Sequence, residues 1–369
     1  MSNQPKTNQA EALFQPFSIG PLQLANRLVM APMTRGFSPQ GVPGEDVAAY
    51  YARRARHGTG LIITEGTLIN DPAAGSGATL PSFYGEAALA GWRNVARAVH
   101  EAGGRIMPQL WHVGMARKAG DSPNPEEPPV GPSGLSLDGE QVTEPLSTAR
   151  IEALIEAYGQ AAADAKAAGF DGIELHGAHG YLIDQFFWEK TNRRTDEYGG
   201  DLVKRTRFAV EAIKAARRAV GPDFPIGFRF SQWKMSDYEA KLVNTPAELE
   251  AFLTPLTEAG VDLFHASTRR YWEPEFEGSS LNLAGWTKKI TGKPVITVGS
   301  VGLDAEFTGA RTADTSGIGG LVDRLEAGEF DLVAIGRVLI SDPEWPEKIR
   351  RGETDRLLPY RAEDLGRLV

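Results

Sequence analysis

The densest run of chemically capable side chains is His176-Gly177-Ala178-His179-Gly180-Tyr181. Histidines three residues apart can face one side and aim two N–H donors at a single oxygen. A carbonyl held in that way is polarised, so its conjugated β-carbon becomes electrophilic. Tyr181 can then supply a proton from its O–H. Two other readings of the cluster exist. With His112 it could ligate the zinc or manganese of a metal-dependent hydrolase. It could also be two hydrogen-bonded histidines in a glycine-rich loop with no chemistry at all. Arg229 raises a separate question, because it ends the apolar run IGFRF at 226–230. A guanidinium there is costly unless an anion meets it. That anion could be Glu174, Asp184 or a cofactor ring that becomes negative on reduction. No lysine stands at a strand end where it could form a Schiff base, which disfavours aldolase and pyridoxal-phosphate chemistry.

These residues need a scaffold that brings them together. Eight short apolar runs alternate with amphipathic helical stretches: 28–31, 61–64, 105–109, 172–175, 226–230, 261–265, 294–298 and 332–335. They lack strict polar alternation, as expected of parallel strands covered on both faces. Between them, Leu89, Trp92, Ala96 and Val99 keep helical spacing and stop at Gly103. Ile151, Leu154, Ile155, Tyr158 and Ala162 do the same and stop at Gly169, a left-handed cap. Thr245-Pro246-Ala247-Glu248 reads as a capping box opening a helix that Pro255 should kink. Eight strand–helix units predict a closed (β/α)8 barrel forming one domain over 1–369, with 1–12 a flexible tail. Such a barrel takes about 250 residues. The surplus is assigned to a floor hairpin near 17–28 and to rim excursions at 112–145 and 267–290.

In a barrel the chemistry sits at the C-terminal ends of the strands. Polar and glycine residues gather there after nearly every run: Pro32-Met33-Thr34, Gly66, Gln109 with Trp111, the histidine cluster, Arg229, Gly299-Ser300 and Gly336-Arg337. Loops after the last two strands commonly hold phosphate, and Gly299, Gly336 and Arg337 offer backbone N–H groups and a guanidinium fork.

Composition narrows the classes further. The absence of cysteine excludes disulfides, thiolate nucleophiles, thiolate zinc sites and cysteine-ligated clusters. A formal charge of −9 argues against a nucleic-acid or anionic-membrane surface. The polar N-terminus and the lack of a long apolar run lead to the expectation of a cytoplasmic enzyme.

With these motifs in order, the sequence resembles the old yellow enzyme family of FMN-dependent ene-reductases. The stretch 176–208, HGAHGYLIDQFFWEKTNRRTDEYGGDLVKRTRF, is similar to that family's central motif. NRLVMAPMTR (26–35), LIITEG (61–66), PQLWHVG (108–114) and the late AIGR agree in order and spacing. The resemblance implies that FMN lies across the barrel mouth. Pro32, Met33, Thr34, Gly66 and Gln109 would touch its ring, Arg229 would face its pyrimidine side, and Gly299, Ser300, Gly336 and Arg337 would hold its phosphate. His176 and His179 would bind the carbonyl or nitro oxygen of an activated alkene, Tyr181 would protonate the α-carbon, and Trp111 would line the pocket. NADH or NADPH would reduce the flavin beforehand, and the protein would be a monomer or a homo-oligomer.

Departures from the family are specific. Position 34 is threonine where one branch has cysteine, and the iron–sulfur trimethylamine dehydrogenase branch is excluded. The oxygen-binding pair is His/His rather than His/Asn, and Phe230-Ser231-Gln232-Trp233-Lys234 lacks the familiar Ser-Pro. The insertion at 304–317 is unusual, and Tyr271, Trp272 and Tyr360 are candidates for the pocket wall. The alternatives to an ene-reductase are the metal-dependent barrel hydrolase and a flavin-binding protein without turnover.

Overall fold

A computed structural model describes residues 10–306 and 311–369. Two short strands, β1 (Phe17–Ile19) and β2 (Leu22–Leu24), form an antiparallel hairpin around Gly20, whose φ of +55° suits glycine. The eight expected runs all become strands. They are β3 (Leu28–Met30), β4 (Leu61–Leu68), β5 (Arg105–Trp111), β6 (Ile173–His179), β7 (Ile226–Lys234), β8 (Leu263–Ser267), β9 (Val295–Val298) and β10 (Leu332–Ile335). Each pairs in parallel with its sequence neighbour, and β10 pairs with β3 to close the barrel. The eight strands thus form one closed parallel barrel, with the hairpin a separate two-stranded sheet.

The hairpin lies on the barrel floor, as the sequence predicts. Ile19, Leu22 and Leu24 share a buried cluster with Leu61, Leu263 and Leu332, the first inward residues of three strands. Covering that end removes the apolar side chains at the bottom of the barrel from water.

Five strands run past their expected limits, β8 by two residues to Ser267, and this matters for the site. β4 reaches Leu68, β5 Trp111, β6 His179 and β7 Lys234. Register shifts interrupt the β4–β5 ladder between Ile63 and Gly66 and the β6–β7 ladder between Gly177 and His179. A bulge adds a residue to one strand and re-aims the side chains beyond it. The His176–His179 segment is thus the irregular end of a strand, where a loop was expected.

The helix cap signals hold. Thr245 caps Pro246–Ala259 by accepting from Glu248 N–H, while the Glu248 carboxylate reaches back to Asn244 N–H at 2.6 Å. Pro255 lies inside this helix, which runs to Ala259 and ends at the left-handed Gly260 as expected. Of the expected tail 1–12, residues 1–9 lie outside the described chain; the rest is not loose. Ala10 and Leu13 are buried, and Glu11–Phe14 forms a 3-10 turn against the barrel, because Leu13 belongs to the apolar shell between barrel and helices. In the 304–317 insertion, 307–310 lie outside the described residues. Its remainder pairs Leu303 with Thr315 and Ala313 with Tyr360.

Candidate active site

The strand ends enclose one cavity of about 460 Å³ at the C-terminal mouth of the barrel. Every residue proposed from sequence to touch cofactor or substrate lines it, and of the three wall candidates one does. Pro32, Met33 and Thr34 come from the end of β3, Gly66 from β4, and Gln109 and Trp111 from β5. His176, His179 and Tyr181 come from the end of β6, and Arg229 from β7. Gly299 and Ser300 follow β9, and Gly336 and Arg337 follow β10. Tyr360 joins the wall, but Tyr271 and Trp272 do not: Tyr271 is buried behind it and Trp272 faces solvent.

Local sequence explains the aromatic cluster. Gly177 has no room for a Cβ, which would sit 2.4 Å from the Phe228 ring. His179 and Gly180 both have positive φ, +67° and +82°, turning the chain sharply off the strand. The turn is fixed from behind, where the Asp184 carboxylate accepts Gly180 N–H at 2.7 Å and pairs with Lys234 Nζ at 2.7 Å. As a result the His176 and His179 rings meet edge to face at 5.1 Å, and Tyr181 lies 5.0 Å from His176 and 4.9 Å from Trp111. Trp233 covers His179 at 4.4 Å, so the departing 230–234 run supplies a wall to the site. Gly66 serves Trp111 directly, because a Cβ there would stand 2.4 Å from the indole ring.

Burial sets the protonation states. It pushes the pKa values of His176 and His179 well down, and the nearby Arg229 adds to the effect, so both rings are neutral at pH 7. His176 Nδ1 accepts Ala178 N–H at 3.3 Å, which leaves its proton on Nε2. Burial raises the Tyr181 pKa and keeps that hydroxyl a proton donor. Arg229 is buried, and desolvation lowers its pKa only to about 10, so it stays cationic.

Neither carboxylate expected to neutralise Arg229 does so by contact. Asp184 is taken by Lys234. Glu174 accepts from Gln109 Nε2 at 2.8 Å and pairs with His265 Nδ1 at 2.7 Å. Among the described residues Arg229 has one side-chain bond, to Ser267 Oγ at 3.3 Å, and its Nε is buried with no partner. An unpartnered buried guanidinium N–H beside a cavity fits an anionic or acceptor-rich guest. The Gln109 amide fits as well: one N–H goes to Glu174, which orients the group and leaves its second N–H and its carbonyl for a guest. At the other end, Gly299 at φ +143° could not carry a Cβ, which would meet Thr268 oxygens at 2.8 Å. Ser300 follows at φ +50° and Arg337 lines the same wall. These features suit the ring and phosphate of FMN.

The hydrolase alternative loses its third ligand. His112 is held by Asp71 at 3.2 Å and by Gly114 N–H at 3.0 Å, outside the cavity lining. No three acidic or histidine side chains converge to hold a metal among the described residues. The sequence reading overlooked Ser267 and His265 and treated Glu174 only as a salt-bridge partner. They share inward faces with recognised residues, Glu174 with His176 on β6 and His265 with Ser267 on β8. Alternation along those strands was the available signal.

Such an arrangement is that of a barrel oxidoreductase built around a bound flavin. A model of the NADH:flavin oxidoreductase / NADH oxidase family matches residues 12–356. The chain is 39% identical to the NADH oxidase of Thermoanaerobacter brockii over 94% of its own length and 52% of that protein. It is 34% identical to 12-oxophytodienoate reductase 7 of Oryza sativa subsp. japonica, over 92% of this chain and 87% of that one. A solved structure of morphinone reductase in complex with tetrahydroNAD superposes with a TM-score of 0.80 at 32% identity, covering 96% of this chain and 94% of that one. The chain thus spans about half the length of the NADH oxidase and most of the plant reductase. It belongs to the NADH:flavin oxidoreductase / NADH oxidase family, the old yellow enzyme family of the sequence resemblance. With that membership come FMN as cofactor and a nicotinamide as reductant. Among the described residues no helix is long and apolar enough to cross a membrane.

Proposed function

We propose that the protein is an ene-reductase that uses NADPH or NADH to saturate the C=C bond of an α,β-unsaturated carbonyl or nitro compound. The observation that carries this reading is the meeting of two neutral histidines, a protonated tyrosine and a buried arginine on one cavity. FMN, when bound, supplies hydride transfer from the nicotinamide to the alkene β-carbon. Pro32, Met33, Thr34, Gly66 and Gln109, which line the cavity, would hold its ring, and the buried Arg229 would answer the charge the ring gains on reduction. Gly299, Ser300, Gly336 and Arg337 hold the phosphate.

His176 and His179 receive the substrate oxygen with N–H donors and stabilise the negative charge that develops there. Neutral rings suit this task, since they donate without surrendering a proton to the oxygen. Tyr181 gives its hydroxyl proton to the α-carbon from a position against both Trp111 and His176. Trp111 bounds the pocket on that side. A small-molecule substrate and a cytoplasmic supply of NAD(P)H complete the reading, which favours turnover over a passive flavin carrier.

The test is Tyr181→Phe, studied in separate half-reactions with NADPH and with 2-cyclohexenone. Enone reduction should slow by about 10²–10⁴-fold, the usual worth of a positioned acid, while FMN reduction by NADPH changes little. Equal slowing of both half-reactions would remove Tyr181 from the proton-donor role.

A further inference from the structure

Ser267 ends β8, 2% exposed, between two residues the proposed reaction uses. Its hydroxyl oxygen lies 3.3 Å from a terminal nitrogen of Arg229 and 2.8 Å from Nε2 of His179. The chemistry of the partners favours one placement of protons, the one that satisfies the Ser267 hydroxyl within the protein. A guanidinium has donors only, so Ser267 Oγ accepts from Arg229. The hydroxyl's own hydrogen then needs an acceptor, and among the described residues the remaining partner is His179 Nε2. A proton on Nε2 would use the second lone pair of the same oxygen and leave the serine hydrogen with no acceptor among the described residues, turned instead to the cavity that Ser267 lines. His179 is neutral and has one ring proton, which therefore sits on Nδ1. That nitrogen has no hydrogen-bond partner among the described residues, and His179 lines the cavity.

We propose that Ser267 is a positioning residue that fixes His179 as its Nδ1–H tautomer and ties that tautomer to the charge of Arg229. The oxygen site then presents unlike donors, Nε2–H from His176 and Nδ1–H from His179, with ring centroids 5.1 Å apart. Such a site accepts an oxygen with two free lone pairs, as in a ketone, aldehyde or nitro group. It rejects a ligand that presents a hydroxyl or amine hydrogen to both rings. This inference rests on the proposed role of His179 toward substrate, but its central claim can be measured without turnover.

The experiment is a two-bond ¹H–¹⁵N spectrum of FMN-loaded enzyme labelled at histidine, with the His179 signals identified by their loss in His179→Asn. Wild-type His179 should show the Nδ1–H pattern. Ser267→Ala should move it to Nε2–H or a mixture, and Ser267→Thr, which keeps the hydroxyl, should restore Nδ1–H. Ser267→Ala should also raise the KM for 2-cyclohexenone about five-fold, the size of one neutral hydrogen bond. Bound FMN, read by its absorbance, reports that each variant is folded. An Nε2–H pattern in the wild-type enzyme overturns the proposal without any variant. An unchanged Nδ1–H pattern in Ser267→Ala overturns it too, since the serine would not be the cause. A tautomer shift with no saturable cyclohexenone binding in either protein upholds the serine's role and instead defeats the substrate reading.

Discussion

Replacing Lys234 with methionine probes the support on which the His179 turn rests. Lys234 Nζ and Asp184 Oδ1 are 2.7 Å apart, and both side chains are 0% exposed. The second Asp184 oxygen accepts Gly180 N–H, and Met235 N–H donates to His179 O at 3.1 Å, so the pair clamps both sides of the turn. Methionine keeps most of the volume but leaves a carboxylate with neither water nor counter-charge. Removing one partner of a buried pair costs about 3–5 kcal/mol. Protonation of Asp184 limits that loss. Burial already pushes its pKa up, with Lys234 and Gly180 N–H pulling it back, so losing the lysine drives it higher. A carboxyl whose folded pKa is raised holds its proton more tightly in the folded state. Its penalty is therefore absent below the unfolded pKa, about 4, and grows as pH rises through the folded value, by up to about 1.4 kcal/mol per pH unit. Lys234→Met should lose about 3–5 kcal/mol near pH 8 and much less near pH 5 in urea titrations at saturating FMN. Adding Asp184→Asn removes both charges and should recover most of the loss near pH 8. A loss below about 1 kcal/mol, or one equal at both pH values, refutes the reasoning.

Arg229→Met should retain FMN but lower its midpoint potential by at least about 30 mV, equivalent to about 1.4 kcal/mol in a two-electron couple. The cause is loss of the buried cation while the Glu174 charge remains; equilibration with a reference dye measures it, and an unchanged potential counts against the placement of Arg229. Gly66→Ala should force the Trp111 ring from its place, since the new Cβ would stand 2.4 Å away. The expected cost is about 1–3 kcal/mol of stability together with a raised KM for 2-cyclohexenone. An unchanged melting temperature and KM would show that the ring has room to spare.

How far the site could be read in advance varied with the kind of information involved. All eight strand runs were visible because a buried parallel strand must be nearly continuous in apolar residues. The helix caps at Thr245 and Gly169 were visible because capping is local, set by side chains within four residues. Strand ends were less legible. β5, β6 and β7 extend because rim residues such as Trp111, His176 and Gln232 find partners on neighbouring elements that the local sequence does not announce. The helix that contains Pro255 runs to Ala259 and ends at Gly260, where the sequence places its end.

By itself, then, the sequence determined the barrel, its floor hairpin and the set of side chains at its mouth. Each of these follows from periodicity, local capping or the rule that barrel chemistry sits after the strands. Tertiary structure decided which of those side chains are already spoken for. Glu174 could have answered Arg229, but 91 residues further on His265 claims it, and Gln109 takes its other oxygen. Asp184 could have done so too, but Lys234 claims it from 50 residues away. Among the described residues Arg229 is left with an unpartnered buried N–H and a serine, and the same serine lies 2.8 Å from His179 Nε2. Hydrogen-bond partners are exclusive and are assigned by distance in three dimensions, so the unclaimed donors and acceptors, which carry the chemistry, could be counted only once the chain was folded.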